Sequence, residues 1–330
     1  MRSRPPDAPP ANDRKDSPDV IVAYPLRPHQ MAMLEETYTL HRLDLVKGEE
    51  RDALLQQAGP ISSALVCNGH VTIDEALLSK LPALKLAACS SAGYDQMDVE
   101  AMTRRGIKLT NTSEVLCDDV ADMALLLMLA ARRRLPEGDR YVRSGDWGQK
   151  GMMPLTTSTS GKKAGIVGLG RIGMAIAKRC EAVGLTVGYY GRTKKAGNDF
   201  AYFDTPVKLA DWADILIVAT PGGPSTEGLI SADVLNALGP TGSFINIARG
   251  TVVDEPALIK ALQERRIASA GIDVYLNEPN PDPRFAALDN VVLYPHHASG
   301  TEETRDRMAQ LTVDNLAAFF AGRPLLTPVN

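Results

Sequence analysis

The 330-residue sequence has no apolar run long enough to cross a bilayer, which takes about 20 residues. Its longest apolar stretch, residues 124–131, has the length of a buried helix segment. The first 17 residues are polar, carry four prolines and lack the apolar segment of a secretory signal. We therefore expect residues 1–17 to be a disordered tail, and we expect a cytoplasmic protein without membrane contact.

Cysteine is scarce, and the sequence contains no Cys-x-x-Cys pair. Its four cysteines are expected to be small buried apolar residues, neither disulfide partners nor metal ligands, and no metal site is predicted. They are Cys67, Cys89, Cys117 and Cys180.

Positive charge is not in excess, since the net charge is −4, and this argues against a nucleic-acid partner. The short run Arg132-Arg133-Arg134 is interpreted as the solvated end of a helix.

Short apolar runs alternate with helical patterns along most of the chain, which predicts an α/β fold built from parallel β-α-β units. A first series covers about residues 20–110, a long apolar helix follows at about 115–134, and residues 135–160 look irregular. A second series holds six apolar runs, at 164–167, 187–190, 215–219, 243–247, 270–272 and 291–293, which is typical of a doubly wound nucleotide-binding sheet. The length suits two domains, and an amphipathic helix ends the chain.

A glycine-rich turn joins the first run of the second series to a helix. It reads Gly168-Leu169-Gly170-Arg171-Ile172-Gly173, a G-x-G-x-x-G pattern between strand and helix. The first glycine allows a tight turn, the second lets a pyrophosphate approach the backbone, and the third lets helix and strand pack closely. This context predicts a dinucleotide site at the N-terminus of the helix.

The end of the next strand indicates which dinucleotide binds. NAD sites usually carry an acid there for the ribose 2′-hydroxyl, but this strand runs into Gly191-Arg192-Thr193-Lys194-Lys195. Arg192, Thr193 and Lys194 can donate to a 2′-phosphate, which an acid would repel. We therefore predict a preference for NADP(H), with NAD(H) bound more weakly.

Three ionisable residues fall where later strands of this series end: Arg249, Glu278 and His296. Reduction of a 2-keto acid needs a cation for the carboxylate and carbonyl oxygen, which suits Arg249. It also needs a proton donor near neutral pH, which suits His296, and a carboxylate to stabilise the imidazolium, which suits Glu278.

These features resemble the D-isomer-specific 2-hydroxyacid dehydrogenase family, and within it the NADPH-dependent hydroxypyruvate and glyoxylate reductases. The resemblance runs from about residue 20 to the C-terminus. Besides the glycine turn, the basic loop and the three ionisable residues, it rests on residues 91–95, 110–112, 118–122, 246–250, 253–255, 271–274 and 299–301.

The resemblance implies two Rossmann-like domains. A dinucleotide-binding domain, residues 113–296, would be inserted into a discontinuous, flavodoxin-like substrate domain made of residues 18–112 and 297–330. It also implies a homodimer, with the long helix and the loop after it in the interface and Trp147 reaching the partner's active site.

The implied activity is NADPH-dependent reduction of hydroxypyruvate or glyoxylate to a D-2-hydroxy acid or glycolate, with Arg249, Glu278 and His296 as the catalytic residues. The Ala92 and Gly93 amides, with Arg249 and His296, would bind the substrate, and Asp273 would meet the nicotinamide carboxamide. The remaining implied cofactor contacts are Thr220, Pro221, Ile247, Ala248, Arg249, His296, Ser299 and Gly300.

Two places depart from the family pattern. The loop Pro221-Gly222-Gly223-Pro224-Ser225-Thr226 differs from the usual one, and His297 replaces an aliphatic residue. We assign the acid to His296 because it directly follows Pro295, and we take His297 as a packing or surface residue. Oxidation of phosphoglycerate, phosphite or formate by the same fold, and a dinucleotide-sensing corepressor, remain alternatives.

Overall fold

The structure is a computed structural model that describes residues 17–330, so the predicted tail lies, apart from Ser17, outside the described residues. Contacts within the chain define two compact units, one reaching Val115 and including Glu302–Asn330, the other formed by Leu116–Thr301. Within the described range, no helix combines the length and the apolar character that crossing a membrane requires.

The first unit is built on a sheet of five parallel strands in the order β2-β1-β3-β4-β5. Its elements are β1 (Asp19–Val22), α1 (Pro28–Thr37), β2 (Thr39–Arg42), α2 (Gly48–Ala58), β3 (Ala64–Cys67), α3 (Glu75–Ser79), β4 (Leu86–Cys89), α4 (Val99–Arg104), β5 (Lys108–Thr110) and, after the second unit, α12 (Glu302–Phe320). Alternate residues of β1 face opposite layers: Val20 and Val22 pack with α1 and α12, and Ile21 packs with α2, α3 and α4.

The second unit is built on seven parallel strands in the order β12-β11-β10-β9-β6-β7-β8. Its elements are α5 (Cys117–Arg132), α6 (Leu135–Arg143), α7 (Asp146–Lys150), β6 (Lys163–Val167), α8 (Arg171–Ala182), β7 (Thr186–Tyr190), β8 (Ala201–Phe203), α9 (Pro206–Trp212), β9 (Ile215–Val218), α10 (Ala232–Leu238), β10 (Ser243–Asn246), α11 (Glu255–Gln263), β11 (Ser269–Ile272) and β12 (Val291–Leu293). Because β6 pairs with both β7 and β9, the winding direction changes beside β6, and this is where such sheets bind ligands.

Helices cover both faces of this second sheet. The large core cluster joins α9, α10 and α11 to β9, β10 and β11. On the other face α5 packs so closely on β11 that a Cβ on Gly271 would lie 2.9 Å from the Leu127 Cβ. The predicted α/β fold with parallel sheets is confirmed, and all six apolar runs of the second series are strands.

Residues 135–160 are not irregular throughout, because α6 and α7 form within them. Both helices are short and bury no residue in the described chain, so no run of apolar residues marks them. Pro136 lies in the first turn of α6, where the missing N–H costs no hydrogen bond.

The interpretation of the arginine run as a solvated helix end is wrong for Arg132. Its side chain is buried, donating from Nη1 to the Ser243 Oγ at 3.2 Å and from Nη2 to the Ser158 carbonyl at 2.6 Å. The apolar helix thus ends against the start of β10, and only Arg133, the next residue, is exposed as expected.

The expectation of buried, unbridged cysteines is confirmed for Cys67, Cys89 and Cys180, while Cys117 is half-buried. Burial raises the pKa of the Cys180 thiol to about 12, which keeps it protonated at neutral pH. Cys67 and Cys89, distant in sequence, are register partners on β3 and β4.

Candidate active site

The glycine turn after β6 has the form that a dinucleotide pyrophosphate needs. Gly168 has φ +98°, and a Cβ there would lie 3.0 Å from the Thr220 Cα after β9. A Cβ on Gly173 would lie 2.0 Å from the Gly168 carbonyl oxygen, whereas the space beside Gly170 is open. Since α8 begins at Arg171 without a side-chain cap, N–H groups of its first turn can donate hydrogen bonds to an anion.

The loop after β7 places its cations in solvent at the next strand end. Arg192, Thr193 and Lys194 are exposed, and residues 191–195 contain no acid. A hydrogen bond to β7 fixes the loop, because the Lys195 N–H donates to the Tyr189 hydroxyl at 2.7 Å. These side chains fit a 2′-phosphate better than a ribose hydroxyl.

A histidine–glutamate pair lies beyond the other half of the sheet. The His296 Nδ1 is 2.6 Å from the Glu278 Oε2, and the Tyr275 N–H donates to the Glu278 Oε1 at 2.9 Å. Burial pushes the pKa of Glu278 up, but these two hydrogen bonds and the charges of His296 and Arg249 outweigh it, so the pKa lies below its ordinary 4.5. Glu278 is therefore ionised at neutral pH and orients the ring so that Nε2 lies on its far edge.

Arg249 is brought to this pair by a close backbone approach. It is half-buried after β10, and its charge is among those that lower the pKa of Glu278. A Cβ on the next residue, Gly250, would lie 1.9 Å from the Tyr275 carbonyl carbon, so only glycine lets the two segments touch. The structure thus brings together the three residues singled out in the sequence.

Asp273 anchors the segment that carries the histidine. His296 has the left-handed φ of +47°, and its N–H donates to the Asp273 carbonyl at 2.7 Å. The Asp273 carboxylate accepts from the N–H groups of His297 at 2.8 Å and Ala298 at 3.2 Å. Burial raises the pKa of this carboxyl even though both backbone bonds and the charge of His296 lower it.

The first unit carries the predicted substrate loop, which follows β4. The Asn111 Nδ2 donates to the Ala92 carbonyl at 3.0 Å, the Thr112 N–H to the Ser91 carbonyl at 3.0 Å, and the Gly69 N–H to the Ser91 Oγ at 3.0 Å. Within residues 17–330 the N–H groups of Ala92 and Gly93 donate to no protein acceptor. The loop is thus braced by neighbouring residues, while two adjacent amides are left for an anion.

The other predicted contacts also lie at strand ends of the second unit. Thr220 and Pro221 follow β9, Ile247 and Ala248 follow β10, and Ser299 and Gly300 lie in the segment after β12. His297 is exposed, and its ring packs so close to Gly300 that a Cβ there would lie 2.0 Å from Nε2. Among residues 17–330 no group of three or more His, Cys, Asp or Glu could hold a metal ion.

Two residues near the catalytic set carry hydrogen bonds to which sequence reasoning gave no role. The Tyr275 hydroxyl donates to the Tyr294 carbonyl at 2.9 Å, and Glu255 accepts from the Leu276 N–H at 2.8 Å. Glu255 stands in one of the stretches that carry the family resemblance, but the pattern does not show what it binds.

A doubly wound domain with this glycine turn and a His–Glu–Arg set defines a nicotinamide-dinucleotide-dependent oxidoreductase. Residues 125–298 match the model of the D-isomer specific 2-hydroxyacid dehydrogenase NAD binding domain. The chain is 45% identical to glyoxylate/hydroxypyruvate reductase A of Arabidopsis thaliana over 314 residues, 95% of this chain and 99% of that protein. It is 44% identical to hydroxyphenylpyruvate reductase of Plectranthus scutellarioides over 310 residues, 94% and 98% of the two chains.

A solved structure is similar over the same extent. The NADPH-dependent glyoxylate/hydroxypyruvate reductase of Sinorhizobium meliloti, in complex with NADP and malonate, superposes with a TM-score of 0.85 at 40% identity, covering 94% of this chain and 96% of that one. The chain belongs to the D-isomer-specific 2-hydroxyacid dehydrogenase family. The resemblance stated from the sequence is confirmed, and so is the prediction of an NAD(P)-dependent dehydrogenase.

Proposed function

We propose that this protein uses NADPH to reduce small 2-keto acids, of the hydroxypyruvate and glyoxylate type, to D-2-hydroxy acids or glycolate. The observation that carries the proposal is the His296 Nδ1–Glu278 Oε2 contact of 2.6 Å beside Arg249, in the unit that holds the dinucleotide turn. An acid, a carboxylate that stabilises its charged form, and a fixed cation are what keto-acid reduction requires. The names of the similar reductases point to the same substrates.

The glycine turn and the loop after β7 would hold the reduced dinucleotide, which would supply the hydride that C2 of the keto acid takes up. His296 donates a proton from Nε2 to the substrate oxygen, and Glu278 stabilises the imidazolium before transfer. Arg249 binds the carboxylate and polarises the carbonyl with two N–H donors in one plane. The Ala92 and Gly93 N–H groups donate to the same carboxylate, and Asp273 would accept a hydrogen bond from the carboxamide of the cofactor.

The choice of NADPH over NADH is assigned to the loop after β7. Arg192, Thr193 and Lys194 would hold the 2′-phosphate, and no acid in that loop would repel it. The glycine turn and the segments after β9, β10 and β12 would supply the remaining cofactor contacts named above.

We assign the domain roles from the position of the dinucleotide turn. Residues 113–296 would bind the cofactor, and residues 18–112 with 297–330 would bind the substrate carboxylate. We also place the enzyme in the cytoplasm and propose that it is a homodimer. In its support, α5, α6, α7 and the segment after them carry six exposed large apolar side chains of the kind that a second copy would cover: Leu126, Leu135, Val142, Trp147, Met152 and Leu155.

A rate assay tests the activity and its substrate range together. Loss of absorbance of NADPH and of NADH would be followed with glyoxylate, hydroxypyruvate, pyruvate, 2-ketogluconate and 4-hydroxyphenylpyruvate. We expect the highest kcat/KM with NADPH and hydroxypyruvate or glyoxylate. Faster turnover of the aromatic acid would contradict the substrate assignment, and faster turnover with NADH would contradict the cofactor assignment. If no acid were reduced, the alternative of a dinucleotide-sensing protein would be favoured.

A further inference from the structure

Glu255 is a buried carboxylate with no task in the proposed reaction. It is the first residue of α11 and only 7% of its surface is exposed. It is not needed to cap that helix, because the preceding Asp254 side chain already accepts from the Ala257 N–H at 3.0 Å. Burying a carboxylate costs free energy unless a hydrogen bond compensates it, so its partner is informative.

The partner is the turn that carries Glu278. Glu255 Oε2 accepts from the Leu276 N–H at 2.8 Å, and the N–H of the preceding residue, Tyr275, donates to the Glu278 Oε1 at 2.9 Å. Two carboxylates therefore hold two successive amides of one turn, one from α11 and one from within the turn itself.

The same turn also lies directly against the backbone at Gly250. A Cβ on Gly250 would lie 1.9 Å from the Tyr275 carbonyl carbon and 2.2 Å from the Leu276 nitrogen, so backbone touches backbone. The same turn sets the Glu278 Oε2 at 2.6 Å from the His296 Nδ1. A shift of the Leu276 amide is thus passed to the catalytic pair through three covalently linked residues.

We propose that Glu255 is a positioning residue for the active site, holding the 275–278 turn so that Glu278 meets His296 at hydrogen-bond distance. Its role is carried by the bond to the Leu276 N–H and not by a contact with substrate or cofactor. The inference rests on the proposed function in one respect, namely that the His296–Glu278 pair acts in keto-acid reduction.

Removal of the carboxylate leaves the Leu276 N–H without an acceptor and loosens the Tyr275–Glu278 bond. That bond lowers the pKa of Glu278, and so do the charges of His296 and Arg249. The other two titratable groups nearby, Asp273 and Tyr275, are not expected to move when Glu255 is replaced. The pKa of Glu278 should therefore rise toward 4.5, and the acid limb of the kcat/KM profile should move to higher pH.

The experiment compares Glu255→Ala, Glu255→Leu and Glu255→Gln in the full-length protein, with Asp254→Ala as the matched control. The alanine and leucine variants should lose about ten- to a hundredfold in kcat, the usual effect of slight misplacement, with an unchanged Kd for NADPH. Glu255→Gln keeps an oxygen acceptor and should stay within about threefold of the wild type. Asp254→Ala loses only the helix cap, so it should lower Tm and leave the pH profile in place.

Titration of the Glu278 carboxyl by 13C NMR separates failure of this inference from failure of the proposed function, since it needs no turnover. A higher Glu278 pKa in the alanine and leucine variants supports the positioning role even if no keto acid is reduced. An unchanged titration and pH profile in these folded variants overturns it, and so does an equal shift in Asp254→Ala. If neither variant folds, Glu255→Asp decides, because it keeps the charge but is one methylene too short, and absence of a shift there overturns the role.

Discussion

The cofactor preference can be tested quantitatively by removing the two cations that follow β7. Arg192 and Lys194 are exposed, so each charged hydrogen bond to a 2′-phosphate is taken at the low end, about 1.5 kcal/mol. The double variant Arg192→Ala/Lys194→Ala should then bind NADPH about 3 kcal/mol more weakly, which is about a hundredfold in Kd. NADH carries no 2′-phosphate, and its Kd should change by less than about threefold.

The assay is fluorescence titration of each dinucleotide at low salt and at about 1 M NaCl. At high salt the wild-type preference should shrink, because the Debye length falls to about 3 Å and the contact is exposed. Lys178→Ala/Lys260→Ala serves as control: it removes the same charge from exposed positions of α8 and α11 away from the loop. Equal weakening of NADPH and NADH, or an equal effect in the control, would refute the 2′-phosphate assignment.

Two further predictions concern the catalytic pair. His296→Ala should lower kcat about 10²- to 10⁴-fold, the usual contribution of a general acid, whereas the neighbouring His297→Ala should keep most of the activity; steady-state rates decide, and the reverse order would move the acid to His297. Because the pKa of Glu278 is lowered in the folded protein, its ionised form adds stability that is present above 4.5 and lost as pH falls through the folded value. The free energy of unfolding, measured with urea, should therefore fall less from pH 6 to pH 3.5 in Glu278→Gln than in the wild type. Equal falls in the two proteins would contradict the lowered pKa of Glu278.

The parts of the fold that sequence reasoning found are those with a strong local signal. Runs such as 215–218 are buried on both faces of a parallel sheet, so they are apolar throughout and stand out. Strand β2, with the sequence Thr39-Leu40-His41-Arg42, lies at a sheet edge and is only partly buried, and α2 is largely polar. Such elements are placed by pairing and packing with distant residues, and a local window does not contain that information.

The same distinction applies to the site. Glycine spacing and the missing acid after β7 are local patterns with one physical meaning each, so the cofactor loop could be found in the sequence. The buried state of Arg132 could not, because its partners Ser158 and Ser243 lie 26 and 111 residues away. Glu255 and Leu276 are 21 residues apart, and their contact exists only because α11 and the 275–278 turn are neighbours in the folded sheet.

The backbone of His296 has a conformation that its neighbours must hold in place. A histidine in the left-handed region, here with φ +47°, costs on the order of 1 kcal/mol or more and persists only if its surroundings hold it. Three N–H bonds to Asp273, from His296, His297 and Ala298, provide that hold. Asp273 therefore anchors the acid from one side while Glu278 orients its ring from the other. Two of these bonds, from His297 and Ala298, end on the Asp273 carboxylate, so any contact of that carboxylate with a carboxamide must use its remaining lone pairs. Removing the carboxylate should therefore first release His297 and Ala298, and through them loosen the backbone of His296.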